Sequence, residues 1–391
     1  MPVINRIADF HADMTEWRHD LHRHPELALQ EHRTSQVVQD KLRSFGVDEI
    51  HTGLATTGVV GVIRGRQPGP AIGFRADMDA LPILEDTGAA HASETPGVMH
   101  ACGHDGHTTM LLGAARYLAE TRNFAGTVYV IFQPAEERHG GAGIMVREGL
   151  FERFPMQQVF GMHNWPSAPE GVFLWRDGPV MAAVATIEIT VTGTGAHGAM
   201  PHAGVDPILV SAAIIQAFQS IIARNVDPTE GGVVTIGAIN GGHIHNVIPE
   251  TVSMMGTARW FAPSVGDILE SKVKSLATSI AEGFGAKAEV AFERVYPATV
   301  NDPEAMAMAR RAAESVQGEA RVQHMARPTM GGEDFSFMLN EKQGAYIMLG
   351  GGCGAQDANV HHPKYDFNDA LLPVGASWFC TLAEQLLPPT A

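Results

Sequence analysis

Cysteine is scarce in this chain: three occur among 391 residues, at positions 102, 353 and 380. So sparse and odd a count offers no disulfide framework and no CxxC zinc pair. Basic residues are also few, because 27 Lys and Arg stand against 43 Asp and Glu, giving a formal net charge of −16. Such a chain lacks the cationic surface that nucleic-acid backbones and anionic lipids require. We therefore expect neither a nucleic-acid partner nor a membrane partner.

We find no secretory signal pattern near the N-terminus, and we expect no apolar run that approaches the length of a membrane span. The sequence thus predicts a cytoplasmic protein. Hydrophobic residues make up 45% and charged residues 18%, which is a globular composition with enough apolar material for a core. A length of 391 residues suits two domains, or one large domain with an insertion.

Strand-like and helix-like segments alternate through the first part of the chain. Residues 127–133 and 158–163 are largely apolar, as in strands covered on both faces of a mostly parallel sheet. Residues 185–192 instead alternate apolar and polar side chains, which is typical of a strand with one solvated face. The elements that begin there follow the order β-α-β-β-α-β of the ferredoxin-like unit.

The change from fully apolar strands to alternating strands predicts the fold class and the domain organisation. We expect a two-domain α/β protein whose catalytic domain, residues 1–182 and 296–391, contains a mostly parallel sheet. A smaller ferredoxin-like α+β domain is inserted at residues 183–295 and serves as a lid and dimerisation domain. The edge strands of such a sheet need cover, and pairing with a second copy supplies it, so we expect a homodimer.

Side chains that bind metals cluster where predicted strands of the first domain end. The segments are residues 75–79 (RADMD), 100–107 (HACGHDGH), 133–137 (QPAEE), 162–164 (MHN) and, near the C-terminus, 361–363 (HHP). Ligand sites of open α/β sheets lie outside the carboxyl ends of the strands, so these segments are expected to converge. Taken alone, each candidate residue also has an ordinary structural explanation: the cysteine and the histidine can be core residues, and the glutamate pair can be solvated.

The mixture of Cys, His and Glu favours zinc, with manganese, cobalt or nickel as alternatives. Five candidate ligands exceed the needs of one tetrahedral ion, so a bridged pair of ions that share a nucleophilic water fits better. Adjacent side chains in an extended segment diverge, which suits one ligand and one base at Glu136-Glu137. For the same reason, His361 and His362 are expected to provide one ligand and one ring outside the ligand set.

Several longer strings resemble one family of metallopeptidases. They are RADMDALPI, HACGHDGHTTMLLGAA, FQPAEE, GMHNWP, GAHGAMPHAGVDP, HNVIPE and GGEDFSFM. These strings are similar to the zinc-type aminoacylase/carboxypeptidase family, and most of all to its amidohydrolase branch of hippurate hydrolases, N-acyl-amino-acid amidohydrolases and indole-acetyl-amino-acid hydrolases. The resemblance runs from about residue 22 to residue 378.

The resemblance implies roles for residues of the first domain. It implies two divalent metal ions per chain, with Cys102 as the bridging ligand and Glu136 as the general base. The other implied ligands are His104, Glu137, His163 and His362. Where the wider family has a bridging Asp this chain has Cys102, and where it has a ligand His this chain has Asp77. Asp77 and Asp79 are therefore assigned supporting positions behind the ligands.

Residues of the inserted domain are implied to contact the substrate. His197 resembles a family histidine that reaches the oxyanion, often from the partner subunit. Asn246 and Arg259 stand at positions that contact the substrate in the family; Arg259 suits a bidentate grip on an α-carboxylate, with a surface charge on a strand as the alternative reading. Gly332, in residues 330–334, is expected to line the acyl pocket, because glycine permits close approach of the backbone.

These observations predict an enzyme that hydrolyses N-acyl amino acids to a carboxylate and a free amino acid. A small-peptide carboxypeptidase or dipeptidase of the same family is the alternative. Residues 193–198 also match GxGxxG, as in nucleotide-binding oxidoreductases, but the alternating strand before them and Pro201 after them do not fit that fingerprint. A metal-binding protein without catalysis would lack the base, and a serine hydrolase would carry GxSxG, which this sequence does not have.

Overall fold

The computed structural model describes residues 3–352 and 358–389. The chain divides into two compact units. Unit 1 comprises Met1–Val180, Val300–Pro328 and Asp334–Ala391, and unit 2 comprises Met181–Thr299 and Thr329–Glu333.

The helices and strands have the following bounds in chain order. The helices are α1 Asn5–Asp9, α2 His11–Arg23, α3 His32–Ser44, α4 His104–Thr121, α5 Gly141–Arg147, α6 Leu150–Arg153, α7 Pro207–Asn225, α8 Pro263–Gly283, α9 Pro303–Gln317, α10 Ser336–Glu341 and α11 Leu372–Leu386. The strands are β1 Glu49–Leu54, β2 Gly58–Arg64, β3 Gln67–Asp77, β4 Ala125–Gln133, β5 Gln158–Trp165, β6 Phe173–Trp175, β7 Gly178–Met181, β8 Ala183–Thr192, β9 Ala196–His197, β10 Gly232–Gly241, β11 Val247–Ile248, β12 Thr251–Trp260, β13 Lys287–Tyr296, β14 Thr299–Asn301, β15 Val322–His324 and β16 Gln343–Gly350. Short 3-10 helices lie at Pro201–Ala203, Glu319–Arg321 and Asp369–Leu371.

Unit 1 is built on a large, mostly parallel sheet with the strand order β1-β2-β4-β3-β5-β16-β6-β15. Its central strands β4, β3, β5 and β16 are parallel to their neighbours in that run. Phe74, Phe132 and Phe160 on these strands are fully buried, together with Trp378 of α11. The strands are therefore covered on both faces, as their continuous apolar runs predict. The predicted α/β class with a mostly parallel sheet is confirmed.

Unit 2 contains an antiparallel sheet with the order β10-β12-β8-β13. With α7 and α8, its elements follow the chain order β-α-β-β-α-β. Alternate residues of β8 are buried, beginning at Ala185 and Ile187, so one face of the sheet packs on the helices and the other does not. Phe218 of α7 and Leu269 of α8 belong to this buried layer.

The boundary drawn from the sequence needs one correction. Residues 329–333 were expected in the first domain, yet they belong to unit 2. The backbone explains this, because Ala182 donates a hydrogen bond to the carbonyl of Gly331 over 2.9 Å and Met181 forms a β-bridge with Thr329. The remaining boundaries at 183 and 295 lie within a few residues of 181 and 299. Gly332 consequently belongs to unit 2.

Helix α7 differs from the expectation that no apolar run approaches the length of a membrane span. By length and composition alone it is long and apolar enough to cross a membrane, although only 33% of its apolar window is buried inside the protein. Asp206 caps its start by accepting hydrogen bonds from the backbone of Ile208 and Leu209. The core helix of a soluble protein passes the same test of length and composition.

Candidate metal centre

The loop before α4 presents Cys102 and His104 at the carboxyl edge of the large sheet. Gly103 between them has φ 90°, a left-handed conformation that glycine adopts without a steric penalty. A Cβ at this position would lie 2.5 Å from Nδ2 of Asn164, which donates a hydrogen bond to the carbonyl of Cys102 over 2.7 Å. The close approach of Asn164 therefore fixes the backbone that carries both candidate ligands.

One group of donor atoms is formed by Cys102, His104 and His163, whose ligand atoms all lie within 4.8 Å of one another. Sγ of Cys102 is 3.4 Å from Nε2 of His163. The other ring nitrogen of His163, Nδ1, donates to the carbonyl of Asn164 over 2.6 Å, which leaves the lone pair of Nε2 directed at the thiol. Histidines that bind metals usually have their second nitrogen held in this way.

A second donor group contains Cys102, Glu137 and His361, again within 4.8 Å of one another. Nε2 of His361 lies 3.2 Å from Oε1 of Glu137. Cys102 thus belongs to both groups, which is the arrangement that a bridging thiolate requires.

The structure brings His361, and not His362, to this cluster. The backbone N–H of His361 donates to the carbonyl of Ala101 over 2.7 Å, and its φ of 64° turns the side chain toward Glu137. His362 is exposed, and its Nδ1 accepts a hydrogen bond from the backbone of Lys364 over 3.1 Å. The donor group therefore contains His361 where the sequence had predicted His362. A non-glycine residue at positive φ costs free energy and is often found at functional sites.

The electrostatics of the cluster favour a cation. Burial raises the pKa of the Cys102 thiol well above its ordinary value, and the carboxylates of Glu137 and Glu136 raise it further. Burial disfavours the charged ring of His104, but the nearby carboxylates of Asp77 and Asp79 outweigh burial and raise its pKa to about 10. Nε2 of His104 is buried and has no hydrogen-bond partner among the residues that the structure describes.

This donor set fits divalent metal ions. A buried thiol among carboxylates is stable as a thiolate only beside compensating positive charge, which a cation such as Zn²⁺ provides. Burial lowers the pKa of His163 well below its ordinary value, so its ring is neutral, as a metal ligand must be. Cys, His and Glu are all ordinary zinc ligands.

Glu136 lies in a third group with His104 and Glu137, and its Oε2 is 4.0 Å from Nε2 of His104. The two oxygens of Asp79 accept the backbone N–H groups of Glu136 and Glu137, each over 3.0 Å. Asp79 therefore sets the position of this segment behind the ligands.

The preceding residue, Ala135, is held in a left-handed conformation with φ 59°. Its N–H donates to Oε1 of Glu31 over 2.9 Å, and Oε2 of Glu31 accepts from the hydroxyl of Thr57 over 2.7 Å. Burial is the main cause that raises the pKa of Glu31 to about 7. Sequence patterns do not indicate this support, because Glu31 lies more than a hundred residues away along the chain.

Asp77 belongs to neither donor group that contains Cys102, and its hydrogen bonds are to residues next to the donor groups. Its Oδ1 accepts a hydrogen bond from Nδ1 of His107 over 2.6 Å, and Nη1 of Arg75 donates to its Oδ2 over 2.7 Å. Nε2 of His107 in turn accepts the backbone N–H of Asn164 over 3.0 Å, which fixes the tautomer of the ring. His107 and Arg75 thus form a buried frame between the ends of β3, α4 and β5.

In unit 2, His197 and Asn246 are brought together by the two-stranded pairing of β9 with β11. Gly198 donates to the carbonyl of Asn246 over 2.8 Å. Nδ1 of His197 accepts the N–H of Ala199 over 3.0 Å, so a neutral ring carries its proton on Nε2 and can donate it. The GxGxxG match at residues 193–198 is followed by β9 and a 3-10 helix, not by the long helix of a nucleotide-binding fold.

Arg259 and Gly332 both lie next to Val184 in unit 2. Arg259 pairs with Val184 across β12 and β8, and a Cβ on Gly332 would stand 2.4 Å from Cγ2 of Val184. Arg259 is half-buried, and burial lowers its pKa from the ordinary value. Its guanidinium is thus partly desolvated, which strengthens its attraction for an anion.

The chain is similar to known proteins along most of its length. A family model described as Peptidase family M20/M25/M40 matches residues 73–385. The chain is 40% identical to a hippurate hydrolase of Campylobacter jejuni over 99% of this chain and 100% of that protein. It is 36% identical to an N-acetylcysteine deacetylase of Bacillus subtilis over 97% of this chain and 98% of that protein.

Among solved structures, a dinuclear metal-binding peptidase of the M20 family from Bacillus subtilis superposes with a TM-score of 0.83. The two sequences are 34% identical, and the superposition covers 97% of this chain and 99% of that one.

Proposed function

This chain belongs to peptidase family M20/M25/M40 and is a hydrolase of that family, and from this premise we propose that it hydrolyses the amide bond of N-acyl amino acids with a water activated between two divalent metal ions. The products are a carboxylate and a free amino acid. One observation carries the proposal: Cys102 is shared by two donor groups, and Glu136 lies beside them. The similarity to a hippurate hydrolase and an N-acetylcysteine deacetylase supports the substrate class.

In this proposal Cys102 would help to hold both ions. His104 and His163 complete the first donor group, and Glu137 and His361 complete the second. Ions bound there would lower the pKa of a bound water and polarise the amide carbonyl. Zinc is the metal we expect, because thiolate and imidazole ligands together favour it, and manganese, cobalt and nickel are the alternatives.

The chain's own residues handle the protons and charges. Glu136 takes a proton from the attacking water and returns it to the departing amine nitrogen. Nε2–H of His197 is the donor for the oxyanion that develops on the amide carbonyl. Asn246 holds the backbone beside His197, and Arg259 grips the α-carboxylate of the amino-acid product. Gly332 keeps the backbone next to Val184 free of a side chain.

A substrate screen tests the proposal. After incubation with zinc, manganese, cobalt or nickel, the protein should hydrolyse N-acetyl, N-benzoyl or indole-acetyl amino acids, measured as release of free amino acid. Hydrolysis of unblocked dipeptides in preference to all of these would favour the peptidase alternative. No release from any N-acyl amino acid with any of the metals would contradict the proposed reaction.

We also propose that two copies of the chain associate through unit 2. Ile208 and Leu209 of α7 and Ile239 on the edge strand β10 are each between 44% and 56% exposed. Large exposed apolar side chains on one unit, with an unpaired edge strand, are typical of a surface that a second copy covers. This surface also explains why α7 is apolar although most of it is not buried.

Sedimentation should therefore show a dimer, and Leu209→Asp should convert it to a monomer. Leu84→Asp, at a residue 69% exposed in unit 1, is the matched control and should stay dimeric. A wild-type protein that sediments only as a single chain at all concentrations would contradict the proposed dimer.

If His197 acts on the site of the partner subunit, inactive variants should complement one another. Mixing Glu136→Gln chains with His197→Ala chains should restore about a quarter of the activity, because half of the random dimers are mixed and each has one complete site. Val247, paired with His197 across β11 and β9, is 52% exposed, and His197 is exposed as well. Activity that stays at the level of the separate variants would assign His197 to its own chain.

A further inference from the structure

Helix α2 carries a fully buried arginine, Arg18, whose guanidinium contacts three carboxylates. Its Nη1 donates to Oδ1 of Asp366 over 2.7 Å, and its Nε donates to Oδ1 of Asp369 over 2.7 Å. Nη2 donates to the second oxygen of Asp369 over 3.2 Å, which makes this pair bidentate. Nη1 also lies 3.5 Å from Oδ2 of Asp105. These four residues lie outside the two donor groups that share Cys102.

The three carboxylates belong to segments that carry candidate metal ligands. One of them directly follows His104 at the start of α4. The other two lie in residues 366–369, a few residues after His361. Arg18 therefore links the segment of His104 to the segment of His361, although α2 itself provides no member of the two donor groups.

The backbone between His361 and Asp366 is short and carries hydrogen bonds of its own. Tyr365, which is buried, donates its backbone N–H to the carbonyl of His362 over 2.9 Å. Its hydroxyl donates to Oδ1 of Asn164 over 2.8 Å. A turn held in this way moves as one piece, so the position of Asp366 constrains the position of His361.

His361 needs support from outside its own residue. Its φ of 64° costs free energy for a residue other than glycine, and such a conformation persists only where the surroundings fix it. The side chain is 53% exposed, so packing holds it only in part. The contacts of Arg18 with residues 366–369 fix the chain that follows this strained position.

The shape and charge of arginine suit this task. Burial disfavours the charged guanidinium, but Asp105, Asp366 and Asp369 outweigh burial and raise the pKa of Arg18 above its ordinary value. The cation is thus permanent. A lysine has no planar fork, so it cannot hold both oxygens of Asp369 and also reach Asp366.

Loss of this cation would change the forces on residues 366–369. Their two carboxylates would then face the buried carboxylate at the start of α4 without the guanidinium between them, and like charges in a buried region repel strongly. His19 and His91 also contact these carboxylates, but a histidine ring is charged only when it is protonated. The segment would therefore move away from α4.

We propose that Arg18 is a positioning residue that holds His361 in the donor group of Cys102 and Glu137. This role rests on the proposed two-metal site and adds a residue of α2 on which one of its two donor groups depends. Arg18 acts through Asp366 and Asp369, not as a ligand.

Metal titration of Arg18→Met by calorimetry, with zinc as the probe, tests this role. One of the two sites should weaken by about 10- to 100-fold, the usual cost of removing a residue that supports a ligand. The other site should stay within about twofold of wild type. Because Arg18 acts through His361, the double variant Arg18→Met/His361→Asn should bind zinc no more weakly than His361→Asn alone.

Arg116→Met is the matched control. Nη1 of Arg116 on α4 donates to Oδ2 of Asp13 on α2 over 2.7 Å, so it joins the same two helices through a different pair. Both sites should keep their affinity for zinc within about twofold in this variant. If Arg18→Met does not fold, Asp369→Asn replaces it, because this variant keeps the buried cation and removes the charge of one partner. It should weaken the same site by more than about twofold.

Hydrogen exchange in the metal-free chain separates this role from the proposed function. The amide of His361, bonded to the carbonyl of Ala101, should exchange faster in Arg18→Met than in wild type or in Arg116→Met. Unchanged exchange, an equal loss of affinity at both metal sites, or a loss that adds in full to that of His361→Asn would overturn the role of Arg18. Wild-type protein that takes up no metal would instead overturn the two-metal site, and the exchange rates would still decide whether Arg18 holds His361.

Discussion

Replacing Glu136 by glutamine is expected to lower kcat by about 10²- to 10⁴-fold, the usual contribution of a general base. The amide has nearly the shape of the carboxylate but cannot take a proton from water. Glu136 lies outside the two donor groups that share Cys102, so the variant should still hold its metal ions. Steady-state kinetics on an N-acyl amino acid, with elemental analysis of the same sample, measures both effects.

The matched control is Glu152→Gln on the surface, which should keep full activity. Rates near those of wild type in Glu136→Gln, with both metals present, would show that another group acts as the base. A variant that loses its metals as well would mean that Glu136 is a ligand.

The pair of adjacent histidines gives the second large effect. His361→Asn is expected to weaken one metal site by more than the 10- to 100-fold that the loss of a supporting residue costs, and to lower kcat by at least about 10²-fold. Asparagine is chosen because it tolerates the positive φ of 64° at this position, whereas its short amide cannot reach Glu137. Metal titration and kinetics on the purified variant give the two readouts.

His362→Asn is the matched control, because the same substitution one residue away removes a ring that belongs to neither donor group. It should bind metal and turn over substrate within about twofold of wild type, as surface substitutions usually do. The opposite outcome, with His362→Asn inactive and His361→Asn active, would restore the assignment made from the sequence.

The arrangement of the first domain could be read from the sequence because its signals are local. Apolar runs indicated β4 and β5, and the polar residues directly after them had to meet at one edge of a parallel sheet. That argument predicts that Cys102, His104, Glu137 and His163 lie close together, and the structure places Cys102 in donor groups with each of the other three.

The choice between His361 and His362 could not be made in this way. It depends on a backbone hydrogen bond from His361 to Ala101 and on a left-handed φ, which belong to tertiary structure. Periodicity shows that two adjacent side chains diverge, but it does not show which of them faces the site.

Long-range support was also invisible in the sequence. Glu31, which holds Ala135, and Asn164, which packs against Gly103, act through contacts between distant segments. Short elements such as β9 and β11 were missed because two residues carry no period.

The measurement that tests the central claim most directly is the metal content of gently purified wild-type protein. Elemental analysis should find about two divalent ions per chain, in accord with two donor groups that share Cys102. A protein that holds no metal after zinc, manganese, cobalt and nickel have been offered in turn would contradict the account.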